Sequence, residues 1–333
     1  MTIHALAAMK QGEALQDFQY ESAALGPTDL KIAISHCGIC HSDLHLLRND
    51  WGISRYPLVP GHEIVGTVDE VGSAVDPKLL SKRVGVGWQS NSCKTCSSCI
   101  CGEDNLCVNS QATCVGAYGG FAQAIKVDSR FAFEIPDALD SAAAGPLLCA
   151  GVTVYNPLRR WDVTAKRVAV VGIGGLGHLA VQFAKKLGNE VIAISGSESK
   201  KEEAQELGAD HFVNGRDPEA LKSLRRSVDF VISTVFAPMD MKPYLSMLGA
   251  NGTFCFVGAP SEPISFPPAV LMDLQRSVTA SSIGGPAIMR EMLQFAAVNQ
   301  VAPWIEKLPM DSANTALERL EKNDVRYRFV LEN

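Results

Sequence analysis

The run Gly172-Ile173-Gly174-Gly175-Leu176-Gly177 is a complete G-x-G-x-x-G, and it constrains the chain more than any other segment. An apolar stretch, Val168 to Val171, precedes it, and an apolar-periodic stretch, Leu176 to Leu187, follows. A strand that turns on glycines into a helix is the opening of a βαβ unit that binds a dinucleotide. Gly172 permits the tight turn, Gly174 lets the backbone approach a pyrophosphate, and Gly177 packs the helix on the strand. Gly175 and Leu176 complete the turn, and the helix N-terminus then faces the phosphates.

The same alternation continues downstream. Strands are expected at Arg167–Val171, Glu190–Ile194, Asp229–Ser233 and Gly252–Val257, and helices at Leu176–Leu187 and Lys200–Leu207. This is the pattern of an α/β Rossmann domain with a doubly wound parallel sheet. Up to about residue 145 the chain instead carries short strand patterns between Gly/Pro turns, such as Leu30–Ile34 and Ile64–Val71. The last fifty or so residues hold a helical pattern, Ile288–Val298, and a closing strand, Tyr327–Leu331. With 333 residues, two domains are expected: a mainly β domain from residues 1–148, to which residues 282–333 could return, and a cofactor domain from 149–281.

Composition sets outer limits. Hydrophobic content of 47% and charged content of 20% allow a large core and argue against disorder. A net charge of −6 with no dense basic run argues against nucleic acid as a partner. The first ten residues lack the basic and apolar regions of a signal peptide. The longest apolar run, Val168 to Ala184, is interrupted by glycines, His178 and Gln182, so no membrane partner is expected. The ten cysteines cluster, which favours metal binding over disulfides and makes a reducing cytoplasm the expected compartment.

Cys93, Cys96, Cys99 and Cys107 stand in a C-x2-C-x2-C-x7-C array. Four thiolates in one short lobe can close a tetrahedron around zinc. Closed coordination leaves no place for substrate, so this site is expected to be structural. Cys101 and Cys114 lie nearby but break the spacing, and they are read as ordinary thiols.

A second group of ligand types is scattered: Cys40-His41-Ser42-Asp43, Gly61-His62-Glu63 and Cys149. An open catalytic zinc needs three protein ligands and a free position. The stretch Gly61-His62-Glu63-x2-Gly66-x5-Gly72-x2-Val75 resembles the zinc signature of medium-chain alcohol dehydrogenases. Cys40-His41-Ser42-Asp43 resembles the family's first-ligand motif. Trp51-Gly52, Tyr56–Pro60, Gly145–Gly151 and Val325–Phe329 are similar to the cinnamyl alcohol dehydrogenase-like branch, nearest to bacterial broad-range NADPH-dependent aldehyde reductases. The likeness spans essentially the whole chain. It implies a GroES-like catalytic domain beside the Rossmann domain, two Zn2+ per subunit and NADP(H) as cofactor.

Carried over by position, the resemblance implies Cys40, His62 and Cys149 as ligands of the catalytic zinc, with Glu63 as an acid able to enter the coordination shell. It implies Asp43 as the carboxylate that orients the ligand histidine. Ser42 and then His45 resemble a proton relay to solvent. If their segment is helical, these two residues share a face. Trp51 resembles a wall of the substrate pocket, and Trp88 is a candidate for the same wall. Thr153 resembles a residue near the nicotinamide ring, and Thr234, Val235, Gly258 and Ile283 resemble backbone contacts to the cofactor.

The strand after the glycine turn should end in Asp or Glu if the ligand is NAD. Here it ends Ile194-Ser195-Gly196-Ser197-Glu198-Ser199-Lys200. A carboxylate at 195 would repel a 2′-phosphate, whereas hydroxyls and a lysine can bind one. Ser195, Ser197 and Lys200 match the NADP-preferring members of the branch, although Gly196 replaces the Ser or Thr often found there. The expected activity is therefore reversible reduction of aromatic and aliphatic aldehydes to primary alcohols. Alternatives are a polyol- or threonine-type zinc dehydrogenase, or a non-catalytic NADPH-binding sensor. Ser277–Ser282 reads as a strand that in this family pairs across a two-fold axis, so a homodimer is expected.

Overall fold

An eleven-residue strand, Asp29–Ile39, organises the first of two structural units. The computed structural model describes residues 2–260 and 262–333. One unit takes the chain up to Val152 and again from Gly284 to Asn333, and the other is Thr153–Ile283. Both cuts fall a few residues beyond the positions expected at 148/149 and 281/282. Cys149 therefore belongs to the first unit. It lies on a π-helical turn, Leu147–Gly151, whose Leu148 side chain packs over Gly85 of a strand in that unit.

The strand Asp29–Ile39 pairs antiparallel with Glu63–Val71 along one edge. Along the other edge it meets Ala124–Asp128 with its first half and Arg328–Glu332 with its second. Arg83–Val86, Ala132–Glu134 and Ile305–Pro309 complete a seven-stranded sheet. Ile32, Ile39, Phe121, Phe131 and Phe329 are fully buried in its core. Register decides what this sheet presents at one end. Gly38 lies opposite both Glu63 and Val330, and Ile39 opposite Phe329. Residues more than two hundred positions apart thus meet at the end of one strand.

In the second unit six parallel strands lie in the order His211–Asn214, Glu190–Ser195, Arg167–Val171, Val228–Ser233, Leu248–Phe256 and Ser277–Ala280. Helices Gly177–Lys186 and Lys201–Glu206 follow the strands that the periodicity assigned. The central strands are apolar because they are covered on both faces: Val168, Ala169 and Val170 have no exposed surface. Ser277–Ala280 ends the sheet. Among the described residues, no helix is long and apolar enough to cross a membrane.

Candidate active site

The helix His41–Arg48 begins where the long strand ends, with Cys40 as its N-cap residue. Ser42 and His45 therefore do lie on a helix. Asp43, in its first turn, turns back to accept the Cys40 backbone N–H through Oδ2 at 2.8 Å. Its other oxygen accepts the Gly61 N–H at 2.9 Å and lies 3.2 Å from Nδ1 of His62. One buried carboxylate thus fixes the Cys40 segment, the loop before His62 and the ring of His62. Holding Nδ1 in this way directs Nε2 elsewhere.

Nε2 of His62 points into a fully buried group formed by Cys40, His62, Glu63 and Cys149, whose donor atoms all lie within 4.8 Å of one another. Among the described residues, this nitrogen is one of three buried polar side-chain atoms with no hydrogen-bond partner, and Glu63 Oε2 is another. A buried ring nitrogen and a carboxylate oxygen facing two thiols are costly unless something binds them. The donor set, two sulfurs, a nitrogen and an oxygen, is one that zinc accepts. The Cys40 thiol is held well below the ordinary range, first by its hydrogen bond with Cys149 and then by Arg328 and His62. The Cys149 thiol is raised well above it, so Cys40 is the more readily ionised of the two. Cys37 is buried but outside this group, against Gly61 and Gly120.

Glu63 has a partner the sequence did not reveal. Arg328 Nη2, itself buried, donates to Glu63 Oε1. Burial pushes the Glu63 carboxyl up to about 7, with Arg328 opposing. Gly38 makes the arrangement fit, because a Cβ there would lie 2.1 Å from Glu63 Oε2. Cys114, read from its spacing as an ordinary thiol, also comes in: its sulfur lies within 4.8 Å of His62 and Asp43, and burial raises its pKa.

The polar and aromatic rim is continuous. Ser42 Oγ lies 3.6 Å from the Cys40 sulfur. His45 Nδ1 lies 2.8 Å from Asp50 Oδ2. The His45 ring neighbours Trp51 at 5.1 Å, Trp51 meets Trp88 at 5.9 Å, and Trp88 stands edge-on to His62 at 4.9 Å. Trp51 is exposed and Trp88 half-buried, so the run leads from the surface to the buried group.

The four-cysteine lobe also converges. Cys93, Cys96, Cys99 and Cys107 have their sulfurs within 4.8 Å of one another, with Cys93–Cys99 at 3.9 Å and Cys96–Cys99 at 3.5 Å. Tetrahedral zinc with bonds of about 2.3 Å would space sulfurs roughly 3.8 Å apart. The Cys96 N–H donates to the Cys93 sulfur at 3.3 Å and the Cys93 N–H to the Cys107 sulfur at 3.4 Å. Donation from the backbone of Thr95 and Cys96 brings the Cys93 thiol down to about 6, favouring the thiolate a metal needs. Asp104 braces the lobe by accepting from Ser92 at 2.8 Å and from both Nε and Nη2 of Arg130. Cys101 is exposed and lies outside the group.

In the second unit, Gly172 has φ +89°, and a Cβ there would press on Thr234 Oγ1 and Val235 Cγ2, both at 2.9 Å. A Cβ on Gly177 would lie 1.8 Å from the Gly172 carbonyl oxygen. A Cβ on Gly174, by contrast, would meet nothing within 4 Å. The turn is closed toward the protein and open outward at Gly174, which fits a pyrophosphate laid on its backbone. Thr234 Oγ1 donates to the Gly172 carbonyl at 2.8 Å, and Gly258 packs on the backbone of Thr234 and Val235. Ser195 ends its strand, its Oγ accepting from the Ser197 N–H at 3.3 Å, while Lys200 Nζ donates to the Ile173 carbonyl. Gly175 and Leu176 sit in the same turn. Thr153 is buried in the helix Val152–Arg160, and the Ile283 carbonyl accepts from Asn156 at 2.6 Å.

Residues 26–137 match the GroES-like domain of alcohol dehydrogenases, and residues 175–298 match the zinc-binding dehydrogenase family. The chain is 44% identical to aldehyde reductase AdhA of Synechocystis sp., over 99% of both chains. It belongs to the zinc-dependent medium-chain alcohol dehydrogenase family. Within that family the dehydrogenase falls in the cinnamyl alcohol dehydrogenase-like branch. A cinnamyl alcohol dehydrogenase of Sorghum bicolor, 40% identical, superposes with a TM-score of 0.95 over 100% of this chain and 98% of its own. One from Helicobacter pylori, complexed with NADP(H), is 33% identical with a TM-score of 0.92 over 99% and 98% of the two chains.

Proposed function

We propose that this dehydrogenase reduces aldehydes to primary alcohols, reversibly, with NADPH as the preferred cofactor and two zinc ions per subunit. The observation that carries the reading is the buried Cys40–His62–Glu63–Cys149 group, with its unpartnered ring nitrogen at the inner end of an aromatic run. Cys40, His62 and Cys149 would hold zinc, which would supply Lewis-acid chemistry for a carbonyl oxygen, while NADPH would be the source of the hydride. Asp43 holds the His62 ring so that Nε2 faces the group. Arg328 donates to Glu63, opposes the burial that raises its carboxyl and holds it to one side as an additional acid able to approach the group. Ser42 Oγ would donate a proton to the oxygen of the reduced carbonyl, and His45, held by Asp50, would replace it from solvent by way of the cofactor ribose. Trp51 and Trp88 offer flat apolar surface and limit water, which suits aromatic and aliphatic aldehydes alike.

The cofactor preference rests on Ser195 in the place where an NAD-binding strand ends in an acid, and Ser197, Lys200, Thr153, Thr234, Val235, Gly258 and Ile283 are the further contacts proposed. The Cys93–Cys107 lobe takes the second, structural zinc. The sheet-end strand Ser277–Ala280 pairs with its counterpart in a homodimer, since an open strand edge invites such pairing. Ten free cysteines suit a reducing cytoplasm. An aldehyde panel assayed with both cofactors tests the reading. NADPH should lead NADH by about tenfold or more in kcat/KM, roughly 1.4 kcal/mol. Equal use of the two removes the NADPH assignment, and one zinc per chain without turnover would favour a sensor instead.

A further inference from the structure

Gly196, in the turn after strand Glu190–Ser195, has no side chain of its own, yet the space beside it is filled. A Cβ built there would lie 3.1 Å from Nε of Arg216, 3.5 Å from its Cγ and 3.7 Å from its Cδ. Arg216 comes from the next loop. Strand His211–Asn214 runs parallel to Glu190–Ser195 with Asn214 opposite Ser195, so both loops leave the same end of the sheet side by side. They are stitched together. The Gly215 N–H donates to the Ser195 carbonyl at 2.9 Å, Asn214 Oδ1 accepts the Arg216 N–H at 2.9 Å, and Asn214 Nδ2 donates to Glu198 at 3.3 Å. The Arg216 side chain is exposed, and none of the ion pairs seen among the described residues includes it. Its nearest acidic neighbour in sequence, Asp217, is occupied in capping a helix through the N–H groups of Glu219 and Ala220.

We propose that Arg216 is a specificity-determining residue for the 2′-phosphate of the cofactor, supplying from the neighbouring loop the side chain that Gly196 lacks. This rests on the NADPH reading above. The turn carries hydroxyls at Ser195, Ser197 and Ser199, with Lys200 directed at the Ile173 carbonyl of the glycine loop. Lys200 thus already gives a hydrogen bond to the glycine loop. Arg216 lies over the second residue of the turn, and its planar fork can engage a phosphate through two parallel hydrogen bonds. A larger residue at 196 would push Arg216 away, so the glycine and the arginine make one device.

Equilibrium binding to the full-length, zinc-loaded protein tests this without using turnover. Wild type, Arg216→Ala and Arg216→Lys are titrated with NADPH, NADH, adenosine 2′,5′-bisphosphate and AMP. Arg216→Ala should weaken NADPH and the bisphosphate by about tenfold, the scale of one charge-assisted contact at a partly exposed site, and leave NADH and AMP within about twofold. Arg216→Lys should recover part of the loss. Added salt should weaken NADPH binding more steeply in wild type than in Arg216→Ala. Equal weakening of all four ligands would mean that Arg216 stacks on the adenine or supports the loop, and would overturn the proposal. So would an unchanged NADPH affinity in a wild type that favours NADPH, which would leave the cofactor reading intact. A wild type that binds NADPH and NADH alike removes that reading and this proposal with it.

Discussion

The two cysteine-rich groups of the first unit are built in opposite ways. The lobe draws all four of its cysteines from the stretch Cys93–Cys107, and its sulfurs accept backbone N–H groups from within that stretch. The other group takes Cys40 from a helix N-terminus, His62 from a loop, Glu63 from a strand start and Cys149 from a π-helical turn. The lobe is partly exposed, whereas every member of the second group is buried. Among the described residues, the buried side-chain polar atoms without a hydrogen-bond partner belong to the second group and to Arg328 beside it. A local loop can close around a metal by itself, and closure leaves nothing over for chemistry. A group assembled by the whole sheet can be held open, because packing fixes its ligands without help from a fourth protein donor.

If that contrast is right, removing one cysteine from each group should have opposite consequences. Cys40→Ala should lower kcat/KM by at least about a thousandfold, roughly 4 kcal/mol. Metal analysis should find one zinc fewer per chain, and the melting temperature should change little. Cys37→Ala is the matched control, since Cys37 is equally buried and three residues away but outside the group. It should keep both metals and most activity. Loss of the catalytic metal from Cys37→Ala instead would reverse the assignment.

Cys99→Ala should do the converse. Its sulfur is the one that approaches both Cys93 and Cys96, so its loss opens the tetrahedron. About 3 kcal/mol of stability should disappear with the lobe's zinc, because metal binding at such a site is also folding free energy. Turnover per folded molecule should stay within about threefold of wild type, a change under 1 kcal/mol. A thousandfold loss of turnover with an intact melting curve would show that the lobe is no mere brace.

Locality also decides how much could be read from the chain. The lobe's spacing and the glycine turn are written in consecutive residues, and strand–turn–helix periodicity placed the parallel sheet. The scattered group was gathered by its likeness to a family, because nothing local links Cys149 to His62. Arg328 was missed for the same reason. It sits two residues from Arg326, of the same type, and only the register Phe329–Ile39 sends Arg328 inward to Glu63 while Arg326 lies over Trp304. Cys114 broke the expected spacing, and its approach to His62 depends on a loop that returns from the lobe. The units divide after Val152 and after Ile283, which leaves Cys149 with the first unit.

The finest test separates the two groups by their supports rather than by their ligands. Asp43 accepts from three donors: the Cys40 N–H, the Gly61 N–H and Nδ1 of His62. Asn has the same shape but only one acceptor oxygen, so Asp43→Asn must turn its NH2 group toward at least one of these donors. Backbone ties hold Cys40 and Gly61, whereas the His62 ring can rotate, so the ring should lose its orientation first. Partners of this kind contribute about 10- to 100-fold in metal affinity. A chelator titration that follows zinc release from both sites should therefore show the earlier phase shifted by that factor. The phase belonging to the Cys93–Cys107 lobe should not move, because the hydrogen bonds of Asp43 go to Cys40, Gly61 and His62, and Asp104 and Arg130 brace the lobe separately. A shift of both phases together would mean that Asp43 supports the unit as a whole, and the contrast between a self-contained site and a fold-assembled one would fail at the carboxylate that should express it best.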